Sequence, residues 1–245
     1  MNSMNVVTLP NMRVAEPQLL ARSIAANLEA AIIHGELHGG MRLTEEIVCQ
    51  MTGFSRSPIR EALRLLESDG LVVREPRRGV RVSELTVEEL DELYVCRIAL
   101  ESTAAALAVK HGTDAEIAAI REAHEECERR LPSPDAREHF AANVEMSNRL
   151  FAAAHNKPLT RLLGTINKQA LRYRFMAYQS SLAVRQNSVQ CNRELIACLA
   201  RRDEEGAARM ARTSSESSHQ VIRECLLARH DGRGTLRGKN ARLRL

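Results

Sequence analysis

The stretch FSRSPIREALRLLESDG, residues 54–70, sets Arg56, Arg60 and Arg64 at intervals of four. On a helix that spacing brings the three guanidinium groups to one face. Each is a planar fork of donors that matches a guanine edge, a phosphate or a carboxylate through two parallel hydrogen bonds. The row therefore suits recognition of base edges and anions, and the ordinary alternative is a solvated surface helix laced with ion pairs. Ser55 and Ser57 add short hydroxyl donors of the kind that reach phosphate oxygens.

The elements that must hold this row follow from hydrophobic spacing. Leu20, Ile24, Leu28, Ala31 and Ile32 recur at helical intervals and predict a helix ending near Gly35. Thr44 is placed as an N-cap, with Leu43 and Val48 as a hydrophobic staple, for a helix over 45–51. TGFS then supplies a tight turn. In the next helix Ser57 is the expected cap and Pro58 the first helical residue. Ile59, Ala62, Leu63 and Leu66 form its apolar stripe, which directs Arg60 and Arg64 outward until Gly70 ends the helix. LVVREPRRGVRV reads as two short strands joined at RRG. Helix, helix, turn, helix and β-hairpin make a winged helix-turn-helix. In that layout the N-terminal residues of the last helix face base edges in the major groove, which suits Arg56 and Arg60. Arg64, one turn on, is better placed for a phosphate, and Arg78 with Gly79 could enter the minor groove.

Composition bounds the rest. The chain has 245 residues, 44% hydrophobic and 3% aromatic, which predicts two domains with real cores. No run of eighteen apolar residues is available for a membrane span, and MNSMNVVTLPNMRVAEP lacks the apolar core of a secretory signal, so a cytoplasmic protein with no membrane partner is expected. The 6 cysteines contain no CxxC pair and indicate neither a disulfide framework nor a zinc knuckle. The net charge of +4 lies in residues 231–245, while ten arginines face ten acids over 1–85 and charges balance again over 86–230. A large basic field is absent, so a nucleic-acid function must rest on local placement. Residues 54–81 supply it, with Arg56, Arg60, Arg64, Arg74, Arg77, Arg78 and Arg81 against Glu61, Glu67, Asp69 and Glu75.

Beyond the hairpin the sequence is almost purely helical. TVEE at Thr86 and TDAE at Thr113 are capping boxes, Asp135 is placed to cap a third helix, and NKPL starts a fourth. Six amphipathic helices with short links describe an antiparallel bundle. The expected divisions are a flexible arm (1–17), a winged helix-turn-helix (18–83), an all-α domain (84–230) and a basic, disordered tail (231–245). The fold class is thus mainly α, with one small β-hairpin wing.

These residues resemble a known family. GELHGGMRLTEEIVCQMTGFSRSPIREALRLLESDGLVVREPRRGVRV is similar to the winged helix-turn-helix of the GntR family, and RIALESTAAALA, AAAHNKPL and LIACLARRDEEGAA resemble the FCD effector domain of its FadR-type subfamily. The resemblance covers about 18–228 and implies a homodimeric bacterial transcription factor whose operator affinity responds to a small molecule. It carries DNA contact onto Ser55, Arg56, Ser57 and Arg60, with Arg78 and Gly79 in the wing; a phosphate-touching basic position of some relatives is Glu46 here.

Many domains of this class hold a divalent metal, and the resemblance places those ligand positions at Asn143, Ser147, Asn192 and Ser214. Amides and hydroxyls are neutral and weak ligands, so no metal and no other cofactor is expected. Either these groups hydrogen-bond an effector directly or they are satisfied polar residues of the core. Asp135 and His139, also four apart, could mimic a shifted metal pair, but Asp135 is better explained as an N-cap. If the effector is a carboxylate, a cation must balance it. Arg97, Arg172 and Arg174 are candidates, Tyr178 could add a phenolic donor, and Arg97 with Glu101 could instead form an i, i+4 bridge. No nucleophile and base pair or phosphate-binding Gly-rich loop is present, so no catalytic residue is assigned. The rival readings are a helical-bundle enzyme fused to an autoregulatory DNA-binding module, and an architectural DNA-binding protein without an effector.

Overall fold

A computed structural model describes residues 16–76 and 79–232. The arm up to residue 15, Arg77, Arg78 and the tail from residue 233 lie outside the described residues. The described residues divide into two compact units, one built from those up to residue 31 and from 40–83, the other from 32–39 and those from residue 84 on. Residues 32–39, expected with the N-terminal domain, thus group with the helical one.

In the first unit, α1 (Glu16–Ile33) precedes α2 (Glu45–Thr52) and α3 (Arg56–Ser68). Thr44 caps α2 by accepting from the Ile47 amide, and Gly53 ends it with φ 73°, the left-handed conformation that glycine adopts without steric penalty. Leu43 and Val48, the expected staple, are both fully buried. β1 (Val72–Glu75) and β2 (Gly79–Val82) pair antiparallel, with Val72 opposite Val82 and Glu75 opposite Gly79. Val80 and Val82 of β2 are buried on one side, the period-two pattern expected of a half-covered strand.

The second unit contains six long helices: α4 (Val87–His111), α5 (Asp114–Arg130), α6 (Ala136–Ala153), α7 (Lys157–Ser180), α8 (Leu182–Ala200) and α9 (Glu204–Gly232). Short links suffice because the links carry their own caps. Thr86, Thr113, Asp135, Asn156 and Ser181 each accept a backbone N–H from the first turn that follows. α4 lies along α9 and α7, α5 along α6, and α8 along α9. One apolar cluster gathers Ala104, Ala108, Leu150, Leu163 and Leu199; another gathers Leu90, Tyr94, Tyr173, Met176, Ile222 and Leu226. The Tyr173 hydroxyl accepts from the Thr86 amide at 3.2 Å and donates to Glu89 at 2.6 Å, tying the first turn of α4 to α7.

At the start of α5 the capping box is complete. Thr113 N–H donates to Glu116 at 2.8 Å, and His155 lies 3.0 Å from the same carboxylate oxygen. The Thr113 amide, then His155 and the Thr113 hydroxyl, hold the Glu116 carboxyl down at about 2. A depressed carboxyl stabilises the fold above its ordinary value of 4.5, and that contribution disappears as pH falls towards about 2. Thr113→Ala is expected to lower stability by about 1 kcal/mol at neutral pH, with the deficit shrinking below pH 4.5. Urea unfolding of both proteins at pH 7 and pH 3 checks it; a deficit that is constant with pH removes Glu116 from the account.

Candidate DNA-reading surface and ligand cavity

α3 buries Pro58, Ile59, Ala62, Leu63 and Leu66, which leaves Ser55, Arg56, Ser57, Arg60 and Arg64 exposed. The helix begins one residue after Ser55, which takes the N-cap position that Ser57 was expected to fill. Pro58 accordingly falls at the third helical position. That position tolerates proline because the first N–H groups of a helix have no intrahelical acceptor.

Arg56 makes no ion pair among the described residues. Arg60 does: its Nε donates to Glu45 Oε1 at 2.7 Å and its Nη2 to Oε2 at 2.9 Å. This hydrogen bond to Arg60 is the main reason the Glu45 carboxyl titrates below its ordinary range. The side-on grip uses the Nε edge of the fork and leaves the Nη1 edge open. Arg64 lies 3.5 Å from Glu61. Of the arginines counted in the local basic segment, Arg74 pairs with Glu67, while Arg81 pairs with Glu75 and donates to Gly40 O. Gly79 opens β2 with φ +85°, and an added Cβ would meet Thr44 Cγ2 at 3.2 Å. Arg78, assigned to the wing, lies outside the described residues.

Within the helical unit a cavity of about 80 Å³ is bordered by both apolar clusters, through Leu150 of the first and Ile222 of the second. Asn143, Ser147, Asn192 and Ser214 line it, and so do Arg97, Arg174 and Tyr178. Arg172 does not. It lies two residues from Arg174 on α7, about 200° round the helix, and so cannot share its direction. Its guanidinium is buried elsewhere, and burial lowers its pKa.

The polar groups are cross-linked. Asn143 Oδ1 accepts from Arg174 Nη2, and its Nδ2 donates to Ser188 Oγ at 3.3 Å. Tyr178 also donates to Ser188, at 2.6 Å, and burial pushes its phenol up. The Ser147 hydroxyl donates to Asn143 O one turn back at 3.0 Å. Arg97 and Glu101 do bridge, through Nε at 3.1 Å and Nη2 at 2.7 Å, and Ser215 donates to the other carboxylate oxygen at 2.6 Å. Burial opposes the charge on Glu101, yet Arg97 and Ser215 hold its carboxyl below the ordinary range. Two donors stay unmatched: Arg97 Nη1 and Asn192 Nδ2 are buried with no hydrogen-bond partner.

Asn143, Ser147, Asn192 and Ser214, the positions expected of metal ligands, do not fit a divalent ion. All four are neutral, and the Asn143 oxygen is already taken by a guanidinium, which would repel a cation beside it. Asp135 caps α6, and His139 turns Nδ1 to Cys127 O at 2.9 Å and stacks on Tyr178, outside the cavity lining.

Sequence reasoning missed Glu45, Ser188 and the α9 hydroxyls Ser215 and Ser218. The run TSSESSHQ was a usable signal, since Ser214 and Ser215 stand four and three residues before Ser218, the spacings that bring side chains together on a helix.

The chain thus combines a winged helix-turn-helix, a fold that presents a helix to the DNA major groove, with an all-α bundle that contains a partly polar cavity. Residues 20–82 match the profile of the bacterial regulatory proteins of the gntR family, and residues 92–216 match the FCD domain. The chain belongs to the GntR family of regulators and carries an FCD domain. It is 34% identical over 141 residues to the uncharacterized HTH-type transcriptional regulator YdhC of Bacillus subtilis, covering 57% of this chain and 63% of that relative. It is 29% identical over 223 residues to the uncharacterized HTH-type regulator BphR of Paraburkholderia xenovorans, covering 88% and 90%. Among solved structures, a putative GntR regulator from Rhodococcus sp. RHA1 superposes with TM-score 0.69 at 26% identity, covering 82% of this chain and 96% of the other. McbR/YncC of E. coli superposes with TM-score 0.74 at 22% identity over 84% and 97%, a likeness of fold alone. No helix among the described residues is long and apolar enough to cross a membrane.

Proposed function

We propose that this regulator is a cytoplasmic homodimer whose affinity for operator DNA is altered by a small organic acid held in the helical domain without a metal. Ser55, Arg56, Ser57, Arg60 and Arg64 with the wing residues Arg78 and Gly79 contact the operator. Asn143, Ser147, Asn192, Ser214, Arg97, Arg174 and Tyr178 form the effector site. The observation that carries the effector half is the pair of buried donors, Arg97 Nη1 and Asn192 Nδ2, left unmatched beside an internal cavity. A buried donor without an acceptor costs about 1–3 kcal/mol, a penalty that a ligand oxygen removes. The DNA half is supported by a free Arg56 at the start of an exposed helix face. Two copies would read half-sites one helical turn apart, and release of a repressor by its effector is the working arrangement.

Thermal-shift screening of the full chain against small organic acids, sugar acids and amino acids, with and without chelator, tests this reading. A stabilising compound is expected to act equally in both conditions and to weaken binding to an operator selected in vitro. Loss of the shift with chelator would put a metal in the site and overturn the metal-free assignment. Light scattering of the free protein checks the dimer.

A further inference from the structure

Resting on that effector site, we infer that Glu101 sets the charge of the molecule accepted there, restricting the cavity to short monoanions such as a carboxylate of a few carbons. Among the cavity-lining side chains, those charged at neutral pH are Arg97, Arg174 and Glu101. Glu101 neutralises one guanidinium by direct contact with Arg97 and leaves Arg174, which donates to the neutral Asn143 amide. One positive charge therefore remains for the ligand. A singly charged acid balances it. A dianion would add an uncompensated negative charge close to the Glu101 carboxylate, where burial makes charges interact strongly.

Size points the same way. The cavity of about 80 Å³ is well below the roughly 300–1,000 Å³ that drug-sized ligands occupy. Met146, Leu150, Phe151 and Leu195 supply an apolar wall for a short aliphatic chain. Arg97 Nη1, Arg174 and Asn192 Nδ2 supply donors for the acid oxygens. Glu101 is thus a specificity-determining residue that acts through charge.

The test compares matched pairs of probes, butanoate with succinate and lactate with malate, by thermal shift on the full chain. Native protein is expected to be stabilised by each monoanion at a concentration at least about tenfold below its dianion partner. Glu101→Gln, which raises the net charge of the lining to two, is expected to shift preference towards the dianions. Should that variant fail to fold, Arg174→Gln keeps the Arg97–Glu101 pair and removes the residual charge. It is expected to need at least about tenfold more monoanion, with no change for the neutral analogue butanamide.

Equal or tighter binding of the dianions by native protein overturns the inference, as does an unchanged order in Glu101→Gln or unchanged monoanion binding in Arg174→Gln. If no probe shifts the native protein, the assignment of size and charge is wrong. The broader effector reading then stands only if a neutral or larger compound stabilises the chain and releases the operator. Failure of those as well sinks both.

Discussion

Glu101→Ala is expected to lower the unfolding free energy by about 3–5 kcal/mol, the loss typical when one partner of a buried ion pair is removed. The Arg97 side chain is 5% exposed and that of Glu101 12%, so water does little to rescue the guanidinium left behind. Arg97 lies over the Tyr94 ring, 4.6 Å from its centroid, and that contact alone does not replace a carboxylate. Ser215 also loses its acceptor. Replacing both partners, as Arg97→Met with Glu101→Leu, is expected to recover most of the loss, because no buried charge then remains. Denaturant unfolding at neutral pH distinguishes the cases. A loss below about 1 kcal/mol for the single variant would mean that the pair behaves as a solvated one.

Arg60→Ala is expected to weaken operator binding by about 1–3 kcal/mol and to relax preference at one base pair, whereas a pure phosphate contact would weaken all sequences alike. The Glu45 grip adds a finer expectation. A guanidinium held along its Nε edge has lost rotamer freedom before DNA arrives and presents its remaining edge in a fixed direction. Glu45→Gln is therefore expected to reduce discrimination between operator and mutated operator. It should also strengthen non-specific binding, since a negative charge near the phosphates is gone. Anisotropy titrations of the single and double variants supply the cycle. Additive effects of Glu45→Gln and Arg60→Ala would show that the carboxylate does not position the arginine. Unchanged affinity in both Arg56→Ala and Arg60→Ala would remove α3 as the reading helix.

Much of this molecule was legible because its punctuation is local. Thr86, Thr113 and Asp135 announce their helices through side chains that bond to amides two or three residues on, and such signals survive without tertiary context. Ser55 and Ser57 show the limit of that approach. Both are cap residues by type, and only the chain path through TGFS decides between them. Partnership across the bundle was not legible. Ser215 meets Glu101 over a separation of 114 residues, and Glu45 meets Arg60 between different helices. Hydrophobic period gives a face, not the neighbour that covers it. For Arg172 and Arg174 even the face was hidden, because residues 172–178 are buried all round and a wholly buried segment has no amphipathic period to read.

Tyr173 and Arg174 are consecutive on α7. One holds the first turn of α4 through Thr86 and Glu89, and the other lines the cavity. Neighbours on a helix are fixed about 100° apart, so a twist imposed on one is imposed in full on the other. The cavity and the latch on residues 86–89 therefore share a single axle. Those residues begin three positions after Ser83, where the first unit ends, so the latch occupies the opening turn of the helical unit.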